Sequence, residues 1–384
     1  MTMKKLFTPL LLFIVLSASG QNASQFKDVP LSDVVNELSY INGNKYQKDA
    51  LLFMDMLAST HPYYIKADRM EVLLSRSDGL LAECAVCKTD SEFVELLRAA
   101  MIEVRDKHTD VIDAESYGRK STSKAETQTQ DGKKSSGLNC ALDNNGELFS
   151  YQLFEKESIC YLQFNQCNDA RTLRDESLPR FDKLLDAMFA DIEKQGIATL
   201  IVDVQYNNGG SSKLCDELLD RLCPLSEIRM LDTYMRFSPL LALYNPKAGQ
   251  AMKAWEEAGH SDELYPVPQK KKQMPEHKYY EGKVVFIQGP RTFSSAGILI
   301  TTARDNNIGT IIGTESTFSP SHYGEVLPFR LPNTGVLGSV CTKYFERADK
   351  DHADDSSIVP DIVLDLDDKP ATWETIIRMY ASKL

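Results

Sequence analysis

The second half of the chain repeats one order of segments, and that order restricts the fold more than any other feature. Thr199 to Val204 reads as a buried strand, opens into the polar turn Gln205-Tyr206-Asn207-Asn208-Gly209-Gly210, and continues as a helical pattern from Ser211 to Leu222. Lys283 to Ile287 reads as a strand, Ser294 to Asn306 as a helix and Thr310 to Ile312 as a strand again. Upstream, Phe181 to Lys194 carries apolar residues at helical spacing and stops at Gly196, where a left-handed residue can end a helix. Strands separated by helices pair in parallel, because a crossover helix returns the chain to the same end of the sheet. An α/β architecture is therefore expected here.

The first part of the chain has a different period. Residues 31 to 108 have helical character, interrupted at His61-Pro62. The clearest helix begins at Thr89, with Glu92 three places on to complete a capping box, and runs through Phe93, Leu96, Leu97, Ala100, Met101 and Val104. An N-terminal helical layer over residues 21–115 follows. Residues 116–137 are rich in Ser, Thr, Lys, Gln and Gly and offer little to bury, so a mobile polar loop is expected. Short strands are expected from Glu147 to Leu153 and from Ser158 to Phe164, opening a second region over 138–384. Within it, residues 245–280 bring several prolines, charges and Trp255, a pattern that suits a lid over a cleft and a plain surface excursion equally.

Composition narrows the setting. Lys4 and Lys5 precede an apolar run from Leu6 to Leu16 and then Ser17, Ala18, Ser19 and Gly20, the layout of a secretory leader over residues 1–20 cleaved near Gly20. That run is well short of the roughly 20 residues a spanning helix needs, so no stable membrane anchor is expected and the protein should be periplasmic or secreted. The formal charge of −12 repels phosphate backbones, which excludes nucleic acid as a partner. The cysteines are irregularly spaced, and Cys84-Ala-Val-Cys87 lacks the second pair or nearby histidines that a metal site would require. No cofactor and no metal are expected.

Two segments can carry chemistry. Val284 to Ile287 runs into Gln288-Gly289-Pro290-Arg291-Thr292-Phe293-Ser294-Ser295-Ala296, which places Ser294 at a helix N-terminus. Backbone N–H groups and the helix dipole there favour a developing oxyanion, although serine at such a position is also an ordinary helix cap. The second segment is the turn with Gly209 and Gly210, whose N–H groups can approach a ligand closely and act with Ser295 as oxyanion donors; a plain strand-to-helix turn has the same composition.

Together, Asp203 to Gly210, then Thr292-Phe293-Ser294-Ser295-Ala296, a helix with Asp305, and Gly313 resemble the serine peptidases that include C-terminal processing (tail-specific) peptidases, the tricorn core and interphotoreceptor retinoid-binding protein. Tyr323-Gly324-Glu325, Phe329 to Asn333 and Pro360-Asp361-Ile362 are similar to segments of short secreted members. The resemblance extends from about Ser158 to Asp361 and implies a ClpP/crotonase-like β-α superhelix as catalytic domain, with Ser294 as nucleophile.

Two departures stand out. Tail-specific peptidases use a lysine base about 25 residues after the serine, and the matching place here reads Thr317-Phe318-Ser319-Pro320. Their glutamate three residues past the nucleophile is Gly297 here. A serine still needs a base, and histidine suits neutral pH. His108, in Asp106-Lys107-His108-Thr109, is similar to the Asp-Gly-His-Thr segment whose histidine serves as base in the tricorn branch, and it reads also as a histidine at a helix C-terminus. By the same resemblance the orienting acid maps near Asp354, with Glu325 as the alternative. His61 and His322 read as structural or substrate-facing.

The reading that follows is an exported serine peptidase acting on peptide or protein substrates through a Ser–His mechanism with a backbone oxyanion hole. The alternative is a non-catalytic peptide- or ligand-binding protein on the same scaffold. Thr109 to Ser158 leaves too little chain for the PDZ domain that many processing peptidases carry. Oligomeric state leaves no signature in the sequence.

Overall fold

The computed structural model describes residues 26–30, 43–66, 70–104, 106–118, 147–269 and 278–364. The leader segment, most of the polar loop and the lysine cluster at 270–272 lie outside the described residues. The chain divides into two compact units, each assembled from three stretches of sequence.

The second unit, Lys134–Asp232, Gln269–His322 and Glu346–Leu384, contains the expected α/β pattern. Its strands are β3 (Phe149–Phe154), β4 (Ile159–Phe164), β5 (Thr199–Asp203), β8 (Lys283–Gln288), β9 (Thr310–Gly313) and β12 (Ile362–Val363), and the single-turn helix α5 (Ala170–Leu173) follows β4. They form one sheet in the order β12-β9-β8-β5-β4-β3. All neighbours pair in parallel except β3, which is antiparallel to β4. Successive residues of a strand point to opposite faces. Leu162, Val202 and Phe286 therefore share one face with the helices α6 (Phe181–Gln195), α7 (Ser212–Leu222) and α10 (Ser295–Asp305), while Tyr161, Ile201, Val285 and Ile287 share the other. Burial on both faces explains why these strands read as almost continuous apolar runs. Each buried Leu, Ile or Phe contributes about 1.5–3 kcal/mol of hydrophobic stabilisation.

The first unit, Met1–Lys133, Thr233–Pro268 and Tyr323–Phe345, contains the helices α1 (Lys45–Thr60), α2 (Tyr63–Lys66), α3 (Met70–Val86) and α4 (Asp90–Ala100), followed by the short α8 (Pro239–Tyr244) and α9 (Pro246–Glu257). Its sheet runs β1 (Lys27–Asp28), β10 (His322–Arg330), β11 (Leu337–Glu346), β6 (Asp232–Met235), β7 (Tyr265–Pro266), with β2 (Asp110–Ile112) also on β11. Phe53, Leu57, Phe93 and Leu97 of the helices share a core with Phe329 and Val340 of the sheet. Helix α1 is clamped to the turn between β10 and β11 by Asp49. This fully buried carboxylate accepts hydrogen bonds from Thr334 N–H at 2.6 Å, the Thr334 hydroxyl at 2.7 Å and Asn333 Nδ2 at 2.8 Å.

The cap at Thr89 forms in one direction only. Thr89 Oγ1 accepts Glu92 N–H at 3.1 Å, but the Glu92 carboxylate accepts Lys88 N–H at 2.9 Å instead of closing back on Thr89. Helix α4 ends at Ala100, and the apolar spacing through Val104 continues as a turn.

Candidate active site

Ser294 stands between β8 and α10. Its backbone has φ 52° and ψ −125°, a left-handed conformation that costs a non-glycine residue about 1–3 kcal/mol and persists only where the surroundings enforce it. The residue occupies the N-cap position, yet its side chain makes no capping hydrogen bond. The ordinary reading of Ser294 as a helix cap therefore does not hold. The geometry instead presents a half-buried serine on a strained strand-to-helix turn, a backbone that strained turns elsewhere use to expose a serine hydroxyl.

The turn is enforced from below. Thr292 donates its hydroxyl to Val204 O at 2.8 Å and accepts Gly289 N–H at 3.0 Å. Phe293 N–H reaches Asn207 O at 3.0 Å, joining the Ser294 turn to the turn after β5. Asn207, fully buried, donates Nδ2 to Phe164 O at 2.8 Å and accepts Gly209 N–H on Oδ1 at 2.9 Å.

Gly209 has φ 97° and Gly210 φ 137°, and neither has room for a side chain. A β-carbon on Gly209 would lie 2.6 Å from Cβ of Ser294, and one on Gly210 would lie 2.5 Å from Cys167 O. Among the described residues neither Gly210 nor Ser295 uses its N–H in a backbone hydrogen bond. The Ser295 hydroxyl, donating to Gly210 O at 2.8 Å, holds the two together. Helices α7 and α10 both begin here, with no acidic residue in the first turn of either, so their dipoles favour negative charge at this point.

Gly297 and Phe318, the two positions at which the sequence departs from tail-specific peptidases, pack directly against each other. Phe318 is buried, and a β-carbon on Gly297 would lie 2.1 Å from its ring. The segment Thr317 to Pro320 thus puts an aromatic ring into the space that a side chain at position 297 would occupy. Phe318 packs edge-on against Phe293 at 5.4 Å and tilted against the His322 ring at 4.5 Å. His322 Nδ1 lies 3.1 Å from Pro320 O.

In the first unit, His108 belongs to a buried polar cluster centred on Asp106. One carboxylate oxygen of Asp106 accepts His108 N–H at 2.9 Å and lies 3.3 Å from His108 Nδ1. The other accepts the Thr109 hydroxyl at 2.6 Å and the Cys341 thiol at 3.0 Å, and lies 3.1 Å from His61 Nε2. Burial alone would raise the Asp106 pKa, but the hydrogen bonds from His108 and His61 outweigh it and hold the carboxyl well below its usual range. Burial, and then the charge of Asp106, push the Cys341 thiol well upward, so it stays a donor.

His61 Nε2, Asp106 Oδ2 and Cys341 Sγ lie within 4.8 Å of one another, a grouping compatible with a small cation. The hydrogen bonds argue against one. Tyr63 N–H points at His61 Nδ1 at 3.1 Å, so Nδ1 holds the lone pair and Nε2 the proton. A metal on Nε2 would force a proton onto Nδ1, facing the Tyr63 N–H.

Of the carboxylates expected near the base, Asp354 is exposed and makes no hydrogen bond among the described residues, and Glu325 pairs with Lys343 at 3.5 Å. The acidic segment around Asp354 is anchored through buried Arg347, which binds Asp305 at 2.8 Å and Asp355 at 3.0 Å. Asp106 was not singled out from the sequence. Its signal was local: Asp followed two and three residues later by His and Thr is the spacing of an Asx turn.

A family model for peptidase family S41 matches residues 158–364. Among solved structures, a candidate peptidase from Parabacteroides merdae ATCC 43184 is 17% identical with a TM-score of 0.53, covering 88% of this chain and 95% of that one. The photosystem II D1 C-terminal processing protease is 12% identical with a TM-score of 0.51, covering 87% and 96%. Mature CPAF is 12% identical with a TM-score of 0.56, covering 88% and 95%. Among curated proteins no sequence relative matches. With the matched segment taking in β4 to β12, the strained Ser294 turn and the glycine turn opposite it, this chain belongs to peptidase family S41, the serine peptidases whose α/β fold it shares.

Proposed function

We propose that this protein hydrolyses peptide bonds with Ser294 as nucleophile, His108 as general base and the N–H groups of Gly210 and Ser295 as oxyanion donors. The observation that carries the reading is the backbone of Ser294, strained and uncapped at the start of α10. Strain of that kind is retained where a side chain must be presented to a reactant.

The roles follow from the groups present. Ser294 Oγ attacks the scissile carbonyl while His108 takes its proton. The negative charge on the former carbonyl oxygen is met by N–H groups, each worth about 100- to 1000-fold in rate by analogy with other oxyanion holes. Gly209, whose own N–H is engaged by Asn207, contributes by letting the turn approach Ser294. His108 then protonates the leaving amine, and water repeats the sequence to release the acyl group.

Asp106 fits the orienting role better than Asp354. It sits at His108 Nδ1, which favours the tautomer with the proton on Nδ1 and the lone pair on Nε2. His61 and Thr109 in turn hold Asp106. A Ser–Lys mechanism is not proposed, since by the resemblance its lysine would fall in Thr317-Phe318-Ser319-Pro320, which contains none.

The leader pattern at the N-terminus supports an exported enzyme, and no helix of the described residues is long and apolar enough to cross a membrane. The test is labelling of the purified protein by a fluorophosphonate probe, comparing wild type with Ser294→Ala, His108→Ala and Asp106→Asn. Labelling should vanish in the first and fall about 100-fold or more in the second. Equal labelling of wild type and Ser294→Ala would remove Ser294 from the mechanism.

A further inference from the structure

Beneath the glycine turn, two cysteines face each other. Cys167 Sγ lies 3.5 Å from Cys215 Sγ, and both residues are buried. Cys167 follows β4 and Cys215 lies on α7, 48 positions further along the chain. Cys167 is also the backbone partner of the turn: its N–H donates to Gly209 O at 3.0 Å, and its carbonyl accepts Ser211 N–H at 2.7 Å. The Cys167 thiol faces Asn207 Oδ1 at 3.5 Å, and the Cys215 thiol donates to Ser295 O at 3.3 Å.

We propose that Cys167 and Cys215 form a disulfide when the protein folds under oxidising conditions, and that this bond shifts the Gly209–Gly210 turn. The coupling to catalysis rests on the assignment of Ser294 and its oxyanion donors; the bond itself does not. Two other described cysteines bond elsewhere. Cys341 donates to Asp106, and Cys87 donates to Thr89 O at 3.4 Å.

The chemistry is thiol–disulfide exchange with a low-molecular-weight disulfide such as oxidised glutathione. One cysteine thiolate attacks the reagent, whose sulfur–sulfur bond breaks and releases one thiol. The second cysteine thiolate attacks the mixed disulfide and releases the other thiol. Two protons leave the protein, and the two electrons lost by the cysteines reduce the reagent. Because both thiols are shielded in the closed protein, exchange proceeds during folding or through local opening.

The effect on the turn follows from contact. Closing the sulfurs from 3.5 Å to about 2.05 Å draws the two chain segments together. It also removes the S–H groups facing Asn207 Oδ1 and Ser295 O. Gly210 lies so close to Cys167 that a β-carbon on it would stand 2.5 Å from Cys167 O, and Cys167 is hydrogen-bonded to Gly209 and Ser211, so a displacement of Cys167 is transmitted to the turn.

The purified chain is unfolded with its thiols reduced, then refolded in mixed oxidised and reduced glutathione or in dithiothreitol. Free thiols are trapped by alkylation, and the unreduced digest is analysed by mass spectrometry. A peptide linking Cys167 to Cys215 is expected only after oxidative refolding and should be absent from Cys215→Ser. The oxidised protein should react at least threefold more slowly with the fluorophosphonate, with the rate restored by dithiothreitol. Both cysteines alkylated after oxidative refolding would overturn the proposal. A linked peptide with an unchanged labelling rate would establish the bond and overturn its coupling to the turn.

Discussion

Gly209 and Ser294 are in contact so close that a β-carbon on the glycine would stand 2.6 Å from Cβ of the serine. The two turns at the ends of β5 and β8 can pack in this way only if one of them lacks a side chain. Gly209 also has φ 97°, which an alanine adopts under strain. Gly209→Ala should therefore destabilise the protein by about 1–3 kcal/mol and move Ser294 out of register. Fluorophosphonate labelling should fall at least 100-fold while the circular dichroism spectrum stays native. A variant that labels at the wild-type rate would contradict the enforced geometry.

The conformation of Ser294 itself yields a prediction of opposite sign. At φ 52° and ψ −125° a glycine is unstrained, so Ser294→Gly should stabilise the fold by about 1 kcal/mol while eliminating labelling. Chemical denaturation of Ser294→Gly and Ser294→Ala separates the terms. Alanine keeps the strained β-carbon and should be near wild type, whereas glycine should have the higher midpoint.

Local patterns carried much of this into the sequence. The strands β5, β8 and β9 and the helices α6, α7 and α10 were legible because both faces of the sheet are buried and the helix ends carry glycine or turn residues. The sheet of the first unit was not legible. It pairs β10 and β11 with β1 and β2, which are hundreds of residues away, and no local period encodes those partners. The site divides in the same way. Ser294 and the two glycines could be read from adjacent residues. Asp106 receives His61 and Cys341 from positions 45 and 235 residues distant, so its place at the centre of the cluster appears only in the folded chain.

Asp106 predicts a pH dependence. Its pKa in the folded protein is well below the ordinary value, so the unfolded chain takes up its proton first as the pH falls. The stabilisation is fully present above about pH 4, where the unfolded carboxyl is also ionised, and is lost progressively as the pH drops toward the folded value. Asp106→Asn leaves the cluster short of one acceptor charge and should cost about 3 kcal/mol at pH 7. Urea denaturation at pH 7 and at pH 3 should show the gap between wild type and Asp106→Asn shrinking at the lower pH. A gap that widens in acid would show that the carboxyl is not held ionised by His61 and His108.

The Gly297–Phe318 contact predicts coupling between two positions that single substitutions would misjudge. Gly297→Ala drives a methyl group to within 2.1 Å of the Phe318 ring and should destabilise by about 1–3 kcal/mol through overpacking. Phe318→Ala removes a buried ring that packs on Phe293 and should cost about 3–5 kcal/mol through the cavity it leaves. In the double variant the new methyl enters the vacated space, so the combined loss should be smaller than the sum of the two by about 1 kcal/mol or more. Labelling adds a second reading, because Phe293 precedes Ser294: Phe318→Ala should slow it, and the double variant should recover part of the rate. Additive stabilities across the cycle would mean that Gly297 and Phe318 do not compete for one space.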